Sequence, residues 1–439
     1  MKKIITIIIP IAFQNLIAFI ASEIDILMLG KISGNAFSAC NLANQVFFLA
    51  TLVISGVSAG CNILSSQYWG KEDRKSIYKV MSYGLGMVIF FVGLLSIVCF
   101  LRPESVMSLF TNIPELISIG AEYLKIACIY YVFYGISSVI TQTLRSVHNI
   151  KPAVFFSIIT LIVNAFLNYC LIFGNFGFEA LELRGAAIAT VIARLIEMVL
   201  VLFYLLAIEK NLHLRIHDLF AFDKTIFRLY LLTAIPVIFS ETLWGLGESV
   251  LVAFIGRLNE DIIHSYSIYN VVSQVAGILM GGCVSAGCIM IGNELGAGKD
   301  IRPLSKALDR LAIGVGVFDA LIVIMSIFIM PMLYELTPQA LIYMRSILLV
   351  GIIIEFYRPR MCMVQSGVLR GMGDVNFCFL NDTLWLWFYI VPLAYLTIFH
   401  TSLPFFVCFF IMKSDQITKL FTARYRREKL FKKQVKALV

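Results

Sequence analysis

Apolar runs of about 20 residues recur along this chain from residue 4 to residue 421. At about 1.5 Å of rise per residue, each run is long enough to cross a hydrocarbon core about 30 Å thick. Inside lipid the backbone must satisfy its own N–H and C=O groups, so such runs fold as helices. A soluble domain is excluded by the same count: 14% of residues are charged and 60% hydrophobic, where an ordinary soluble domain is about 25% charged. The chain therefore reads as an all-α integral membrane protein. Twelve spans are expected, near 4–29, 35–66, 77–101, 117–145, 151–174 and 184–208, then 225–256, 262–294, 304–333, 338–369, 375–399 and 403–421. Lys2 and Lys3 ahead of ITIIIP resemble the start of a signal peptide, but the apolar stretch continues to Gly30 without a small-residue cleavage site. It reads as a retained first span.

Basic residues fall in alternate connectors. One side carries Lys2 and Lys3, then Lys71, Arg74, Lys75 and Lys79, then Arg145 and Lys151, then Lys210, Arg215, Lys224 and Arg228. The series continues with Lys299, Arg302, Lys306, Arg310 and Arg370, and ends in the C-terminal tail. The other side holds only Lys31, Arg102, Arg184 and Arg257. Excess Lys and Arg stays in the cytoplasm, so both termini are expected inside a multi-pass protein of the cell membrane. Topology thus accounts for the net charge of +8 without nucleic acid. The tail, KLFTARYRREKLFKKQVKALV, reads as a solvated basic end combined with an amphipathic helix on anionic headgroups.

The two halves match at an offset of about 226 residues. Pro10 corresponds to Pro236, Gly30 to Gly256 and Gly56 to Gly282, and SAGC occurs at Ser58–Cys61 and again at Ser285–Cys288. Arg145 in TQTLRS corresponds to Arg370 in SGVLRG, and Leu167 and Tyr169 to Leu393 and Tyr395. An even number of spans per repeat makes the repeats parallel, a transporter arrangement with a substrate site between halves. The expected organisation is a six-helix lobe over 1–210, a cytoplasmic connector over 211–224, a second six-helix lobe over 225–421, and a basic cytoplasmic tail over 422–439.

Within this apolar background the polar residues stand out. The stretch FIASEIDILMLG places Glu23 and Asp25 near the end of the first span. Asp25 shares a helical face with Ser22, Ala18 and Gln14, a small, polar face suited to a water-filled cavity, whereas Glu23 points elsewhere. A carboxylate buried in a span costs about 3 kcal/mol and persists when it is paired, wetted or useful. In SETLWGLGES, Glu241 and Glu248 stack on one face with Trp244 and Gly245 between them, and a tryptophan face attracts cations. Asn164 and Asn168 lie one turn apart in the fifth span. Arg194 and Glu197, three apart, read as a structural pair, and Asp382 as interfacial. Arg358 and Arg360 flank Pro359 deep in the tenth span near Glu355, implying a cavity or acidic partners. The ten cysteines are scattered singly and read as reduced packing residues. His213 and His217, beside Asp218, read as connector residues rather than a metal site. No phosphate-cradling glycine loop, zinc helix or Ser/His/Asp constellation occurs in the spans, so no catalytic residues and no cofactor are expected.

With these stretches in view, the chain resembles the multidrug and toxic compound extrusion (MATE) family. The likeness is carried by IDILMLGKIS, by ISGVSAGCNILSSQYWGKED with its counterpart GGCVSAGCIMIGNELGAGKD, and by NAFLNYCLIFGNFGF followed by LRGAAIATVIAR. IPVIFSETLWGLGES and GVLRGMGD complete it. The resemblance implies a monomeric exporter of organic, often cationic, compounds driven by inward flow of protons or sodium ions. It places the coupling group at Asp25, Asn164, Asn168 and Thr190, and an acid of the seventh span at Glu241. Two departures stand beside it. Some members carry an acid where this chain has Arg358–Pro359–Arg360, and some carry a second aspartate where it has Ile172.

The joint expectation is alternating access. Ion binding at Asp25, Asn164, Asn168 and Thr190 favours one state, while Gln14, Glu241, Trp244 and Glu248 help hold the organic substrate, with Arg358 and Arg360 as possible cavity charges. The 35 phenylalanines and 16 methionines suit adaptable apolar walls. A flippase for a lipid-linked headgroup is the rival reading, favoured by a basic cavity. A passive channel is the other and would show flux without saturation.

Overall fold

A computed structural model describes residues 2–30, 34–209, 212 and 222–438, except for the side chains of 2–4, 25–27 and 433–438. Lys31, Lys210, Arg215, His213, His217 and Asp218 lie outside the described residues, as do the side chains of Lys2, Lys3 and Asp25. Every regular element among the described residues is helical. The first half has α1 (Lys2–Leu29), α2 (Gly34–Gly70), α3 (Arg74–Leu101), the short α4 (Pro103–Met107), α5 (Pro114–Ser146), α6 (Lys151–Phe173) and α7 (Glu182–Phe203). The second half has α8 (Lys224–Ile255), α9 (Glu260–Gly296), α10 (Arg302–Leu333), α11 (Pro338–Cys362), α12 (Val375–Thr383), α13 (Val391–His400), α14 (Phe405–Lys413) and α15 (Asp415–Leu438). Wider π-helical turns continue α7 over Tyr204–Ile208, continue α11 over Met363–Leu369, and join α12 to α13 over Leu384–Ile390.

Local chemistry sets the ends. Pro114 and Pro338 stand at the first turns of α5 and α11, where a missing N–H costs nothing. Asn259 and Thr337 cap α9 and α11, accepting from the Ile262 and Ala340 amides at 2.9 and 3.0 Å. In α11, Pro359 removes one ladder donor, and the helix widens into its π turn four residues later.

Eleven helices among the described residues are long and apolar enough to cross a membrane. The expected twelfth, 403–421, is made of two pieces. Its apolar part, α14, has nine residues and spans about 14 Å. The chain then turns at Ser414 into α15, whose first turns carry Asp415 and Lys419 into the protein interior. The tail beyond it also departs from expectation. Leu420, Ala423 and Phe431 are buried, Arg427 is 7% exposed, and Leu420 and Ala423 pack with Met361, Val364, Leu369 and Cys378. Arg427 pairs with Asp309 at 2.8 Å and Arg426 with Asp374 at 2.7 Å. Residues 420–431 thus dock on their own unit, because α11, its π turn and α12 offer an apolar strip, with Asp309 of α10 and Asp374 before α12 as acids beside it.

The chain divides into two compact units, one of Phe13–Ile238, the other of Met1–Ala12 with Phe239–Val439. The division runs through α1 and α8 rather than through the 211–224 connector. Glycines supply the reason. A Cβ on Gly56 would lie 2.5 Å from the Ile238 Cα, so α2 and the first half of α8 touch backbone to backbone. In the other unit a Cβ on Gly282 would lie 2.9 Å from Ala12, which brings the start of α1 onto α9. These two contacts are equivalent under the repeat.

The Phe13–Ile238 unit has its core between α2, α3, α5 and α7, around Ile54, Val57, Tyr131 and Ile140. The other unit centres on α9, α10 and α11, where Tyr269 meets Phe409 edge-on at 4.7 Å. All ten cysteines are free.

Candidate functional site

In the Phe13–Ile238 unit the polar residues converge on the α6–α7 hairpin. Its register is fixed by Gly174, at φ +72°, where a Cβ would crowd the Ala180 amide at 2.9 Å. Gly185 lets α7 approach α6 until a Cβ would stand 2.4 Å from the Leu171 carbonyl. This hairpin brings Thr190 opposite Asn164. The Asn164 amide donates to Thr190 Oγ1 at 3.4 Å, and the Asn168 amide donates to Asn164 Oδ1 at 3.3 Å. Both asparagines are buried. Thr190 itself donates to the Ala186 carbonyl. The expected spacing of one turn thus produces a row of amide and hydroxyl groups inside an apolar helix pair. Arg194 pairs with Glu197 at 2.7 Å and lies over the Tyr134 ring, as its spacing suggests. Gln14 donates to Ser157 Oγ at 2.9 Å and accepts from Arg145. Asp25 belongs to α1, and its side chain is outside the described residues.

The other unit holds a connected ionic network. Arg370, at the end of the π turn after α11, donates to Glu241 Oε1 at 2.6 Å and to Ser240 Oγ at 3.3 Å, and lies 3.7 Å from Asp382. Asp382 also accepts from Ser240 at 2.8 Å and Gln365 at 2.7 Å, and pairs with Lys419 at 3.3 Å. Lys419 in turn meets Asp415 at 2.9 Å and is 1% exposed. Asp382 is therefore the hub of the network rather than an interfacial residue, because α15 lays Lys419 across it. Glu248 pairs with Lys413 at 2.8 Å. Glu241 and Glu248, expected to flank an organic cation, thus each hold a cation of the protein, while Trp244 between them is 42% exposed. Arg358 donates to Glu355 at 3.0 Å and to Ser273 Oγ at 2.7 Å, and Glu355 also accepts from the Tyr269 hydroxyl at 2.9 Å. Arg360 lies over Phe356 and Tyr357 at 5.7 and 5.4 Å from the ring centres.

Similarity to known proteins fits this architecture. Residues 10–170 match the MatE family model. An uncharacterized transporter of Bacillus subtilis, YisQ, is 24% identical over 392 residues, covering 88% of this chain and 85% of that one. A probable multidrug resistance protein NorM of Listeria monocytogenes is 23% identical over 414 residues, covering 92% and 89%. The solved outward-facing conformation of a multidrug resistance MATE family transporter superposes with a TM-score of 0.88 at 14% identity, covering 98% of this chain and 96% of that one. The chain is similar to MATE family transporters and has their fold. It is a multi-pass membrane transporter of that fold.

Beside this family it departs where the sequence departs. Arg358–Pro359–Arg360 stands where some members carry an acid, and Arg358 is satisfied from within α11 by Glu355, one turn earlier. Sequence reading passed over two residues of this second unit. Lys419 was counted with the basic tail, although its apolar neighbours Leu420 and Phe421 already marked a helix. Asp319 was not singled out at all. It sits alone in AIGVGVFDALIVI, and the cost of a carboxylate in a span applies to it as much as to Asp25.

Proposed function

We propose that this chain is a secondary active antiporter that exports organic, cationic compounds across the cell membrane in exchange for protons or sodium ions by alternating access. The observation that carries the reading is the buried Asn168–Asn164–Thr190 row, polar groups that stability alone does not require in an apolar helix pair. With Asp25 they would form the coupling group. A ligand shifts a two-state equilibrium only by its differential affinity for the states, so ion and substrate need not touch. Trp244 offers an exposed ring face to a cationic substrate. Glu241 and Glu248 can join it by exchanging Arg370 or Lys413 for the substrate's charge. Both termini lie in the cytoplasm in this reading, and the chain works as a monomer among membrane lipids.

The test is a fluorescent organic cation in proteoliposomes under an imposed proton gradient, then under a sodium gradient, each alone. Movement under one of them is expected, and Asp25→Asn should abolish it while leaving membrane insertion intact. Wild-type rates in Asp25→Asn would remove Asp25 from the coupling role. Folded protein that moves the cation under neither gradient would overturn the reading.

A further inference from the structure

Asp319 lies in the middle of α10, is 0% exposed, and neither carboxyl oxygen has a hydrogen-bond partner. A buried, unpartnered carboxylate in a membrane helix is among the least favourable groups a protein can hold. Its surroundings offer it no free cation. α10 packs on α9, on α11 and on the π turn Met363–Leu369. The charged groups that face Asp319 are Glu355 and Arg358 of α11, and from α9 the titratable neighbour is the Cys283 thiol. The π turn contributes no charged side chain. Arg358 is already committed to Glu355 and Ser273, Tyr269 donates to Glu355, and the next cation, Lys413, is committed to Glu248. Arg358 is thus one cation beside two acids, Glu355 and Asp319, and its hydrogen bonds to a carboxylate go to Glu355.

We propose that Asp319 is a proton-binding site of the Phe239–Val439 unit, a second coupling carboxyl separate from Asp25. A proton is the ligand this geometry accepts. No donor among the described residues reaches the Asp319 carboxyl within hydrogen-bonding distance, and a proton is the ligand that removes its charge in place. Protonation makes the charges of the cluster balance. Loss of that proton to water leaves an anion whose nearest cation is Arg358, so Asp319 then competes with Glu355 for the same guanidinium. One proton leaves, no covalent bond to carbon changes, and Arg358 keeps its charge throughout. The exchange of partners is built into a helix contact that can respond to it. A Cβ on Gly316, one turn before Asp319, would lie 2.4 Å from the Phe356 carbonyl, the residue after Glu355, so α10 and α11 meet there without intervening side chains. Arg358 also has room to change partners, its side chain being 26% exposed. The site is not a relic of the repeat, because α3, the counterpart of α10, has no charged residue from Val80 to Leu101.

This inference deepens the export reading and rests on it only for the use made of the proton. The experiment reads the carboxyl itself. Infrared difference spectra of the full-length protein in lipid would be recorded through a pH titration for wild type, Asp319→Asn and Asp25→Asn, and for wild type labelled with carboxyl-13C aspartate. The expected result is a C=O band of a protonated carboxyl free of hydrogen bonds. It shifts on aspartate labelling, persists in Asp25→Asn and is lost in Asp319→Asn. Such a band unchanged in Asp319→Asn, or no protonated-carboxyl band that responds to aspartate labelling, would overturn the proposal. If Asp319→Asn fails to fold, Asp319→Glu serves instead, since the band should then no longer shift on aspartate labelling, and a band that still shifts would overturn the proposal. In proteoliposomes, uptake driven by a proton gradient should be lost in Asp319→Asn. If the wild type moves no organic cation at all, the export reading fails while the infrared band still decides the proton site.

Discussion

Replacing Arg370 by Met should expose how the ionic network of the second unit is balanced. Arg370 stands 2.6 Å from Glu241 and 3.7 Å from Asp382. With the effective dielectric of about 20 that suits protein sites, these separations correspond to gross attractions of about 6 and about 4 kcal/mol. The desolvation of three charged groups offsets most of that. The informative quantity is what remains when one partner is withdrawn, about 3–5 kcal/mol for a buried pair. The two acids will not share the loss equally. Asp382 keeps Lys419, Ser240 and Gln365, whereas Arg370 is the cation that Glu241 holds. Because a quarter of the Glu241 side chain remains exposed, water reaches it, which places the expected cost at the low end, about 3 kcal/mol.

For a unit of this size, about 3 kcal/mol corresponds to a fall of about 6–12 °C in apparent melting temperature, read by intrinsic fluorescence on purified protein in detergent. Adding Glu241→Gln to Arg370→Met removes the stranded carboxylate and should recover most of the fall. Adding Asp382→Asn instead should not, since it leaves Glu241 stranded and removes an acid that Lys419, Ser240 and Gln365 still engage. If the Glu241→Gln double variant is no more stable than Arg370→Met alone, the loss does not lie in an unpaired Glu241 and the balance drawn above is wrong.

Two further outcomes follow from the geometry. Gly56→Ala and Gly282→Ala each force a methyl group into backbone of a crossing helix, at 2.5 and 2.9 Å respectively, and each should cost about 1–3 kcal/mol. Gly93→Ala meets nothing within 4 Å and should gain up to about 1 kcal/mol of helix propensity; equal melting temperatures for Gly56→Ala and Gly93→Ala would contradict the close crossing. At the start of α8, Asp223 is held below the usual carboxylate range by the Lys79 ammonium at 3.0 Å, helped by the Ile226 and Thr225 amides. A lowered folded value means that its contribution to stability is present above the ordinary carboxylate range and is lost as pH falls through the folded value. In Lys79→Met the Asp223 titration, followed by carbon NMR, should move back toward the ordinary value, and an unmoved titration would exclude the pair as its main cause.

The spans were legible because apolar run length is a one-dimensional property, and the weak twelfth was legible in part from Lys413 and Asp415. Pairs within one helix were legible for the same reason. Arg194 with Glu197 and Asn164 with Asn168 follow from helical spacing alone. Contacts across helices were not. Glu241 meets Arg370 129 residues away and Glu248 meets Lys413 165 residues away, and nothing in the local pattern says which acid faces which cation. Asp382 shows the limit most clearly. Its position near a span end suggested water, yet burial there is decided by α15, which returns from the far end of the chain.

The repeat sharpens this point, because it lets one junction be compared in two chemical forms. Gln14 and Ser240 are equivalent, as are Arg145 and Arg370. In the first unit Arg145 is buried against the side-chain amides of Gln14 and Gln142 and has no acid as an ion-pair partner among the described residues. In the second, Arg370 takes the Ser240 hydroxyl and adds Glu241 and Asp382. The arginine is kept in both places, so it serves the shared geometry of the junction; the acids occur once, so they serve something the first unit does not do. Amides and hydroxyls hold their charge state at every physiological pH, and the described polar residues of the first unit's candidate site, Gln14, Asn164, Asn168 and Thr190, are all of this kind. Titratable chemistry is concentrated instead in the second unit, at Asp319 and the acids that compete for Arg358, Arg370, Lys413 and Lys419. If the proposed proton site at Asp319 is correct, this distribution places the response in one unit, while the first unit's acids include Glu197, held by Arg194, and Glu23 and Asp25 of the first span.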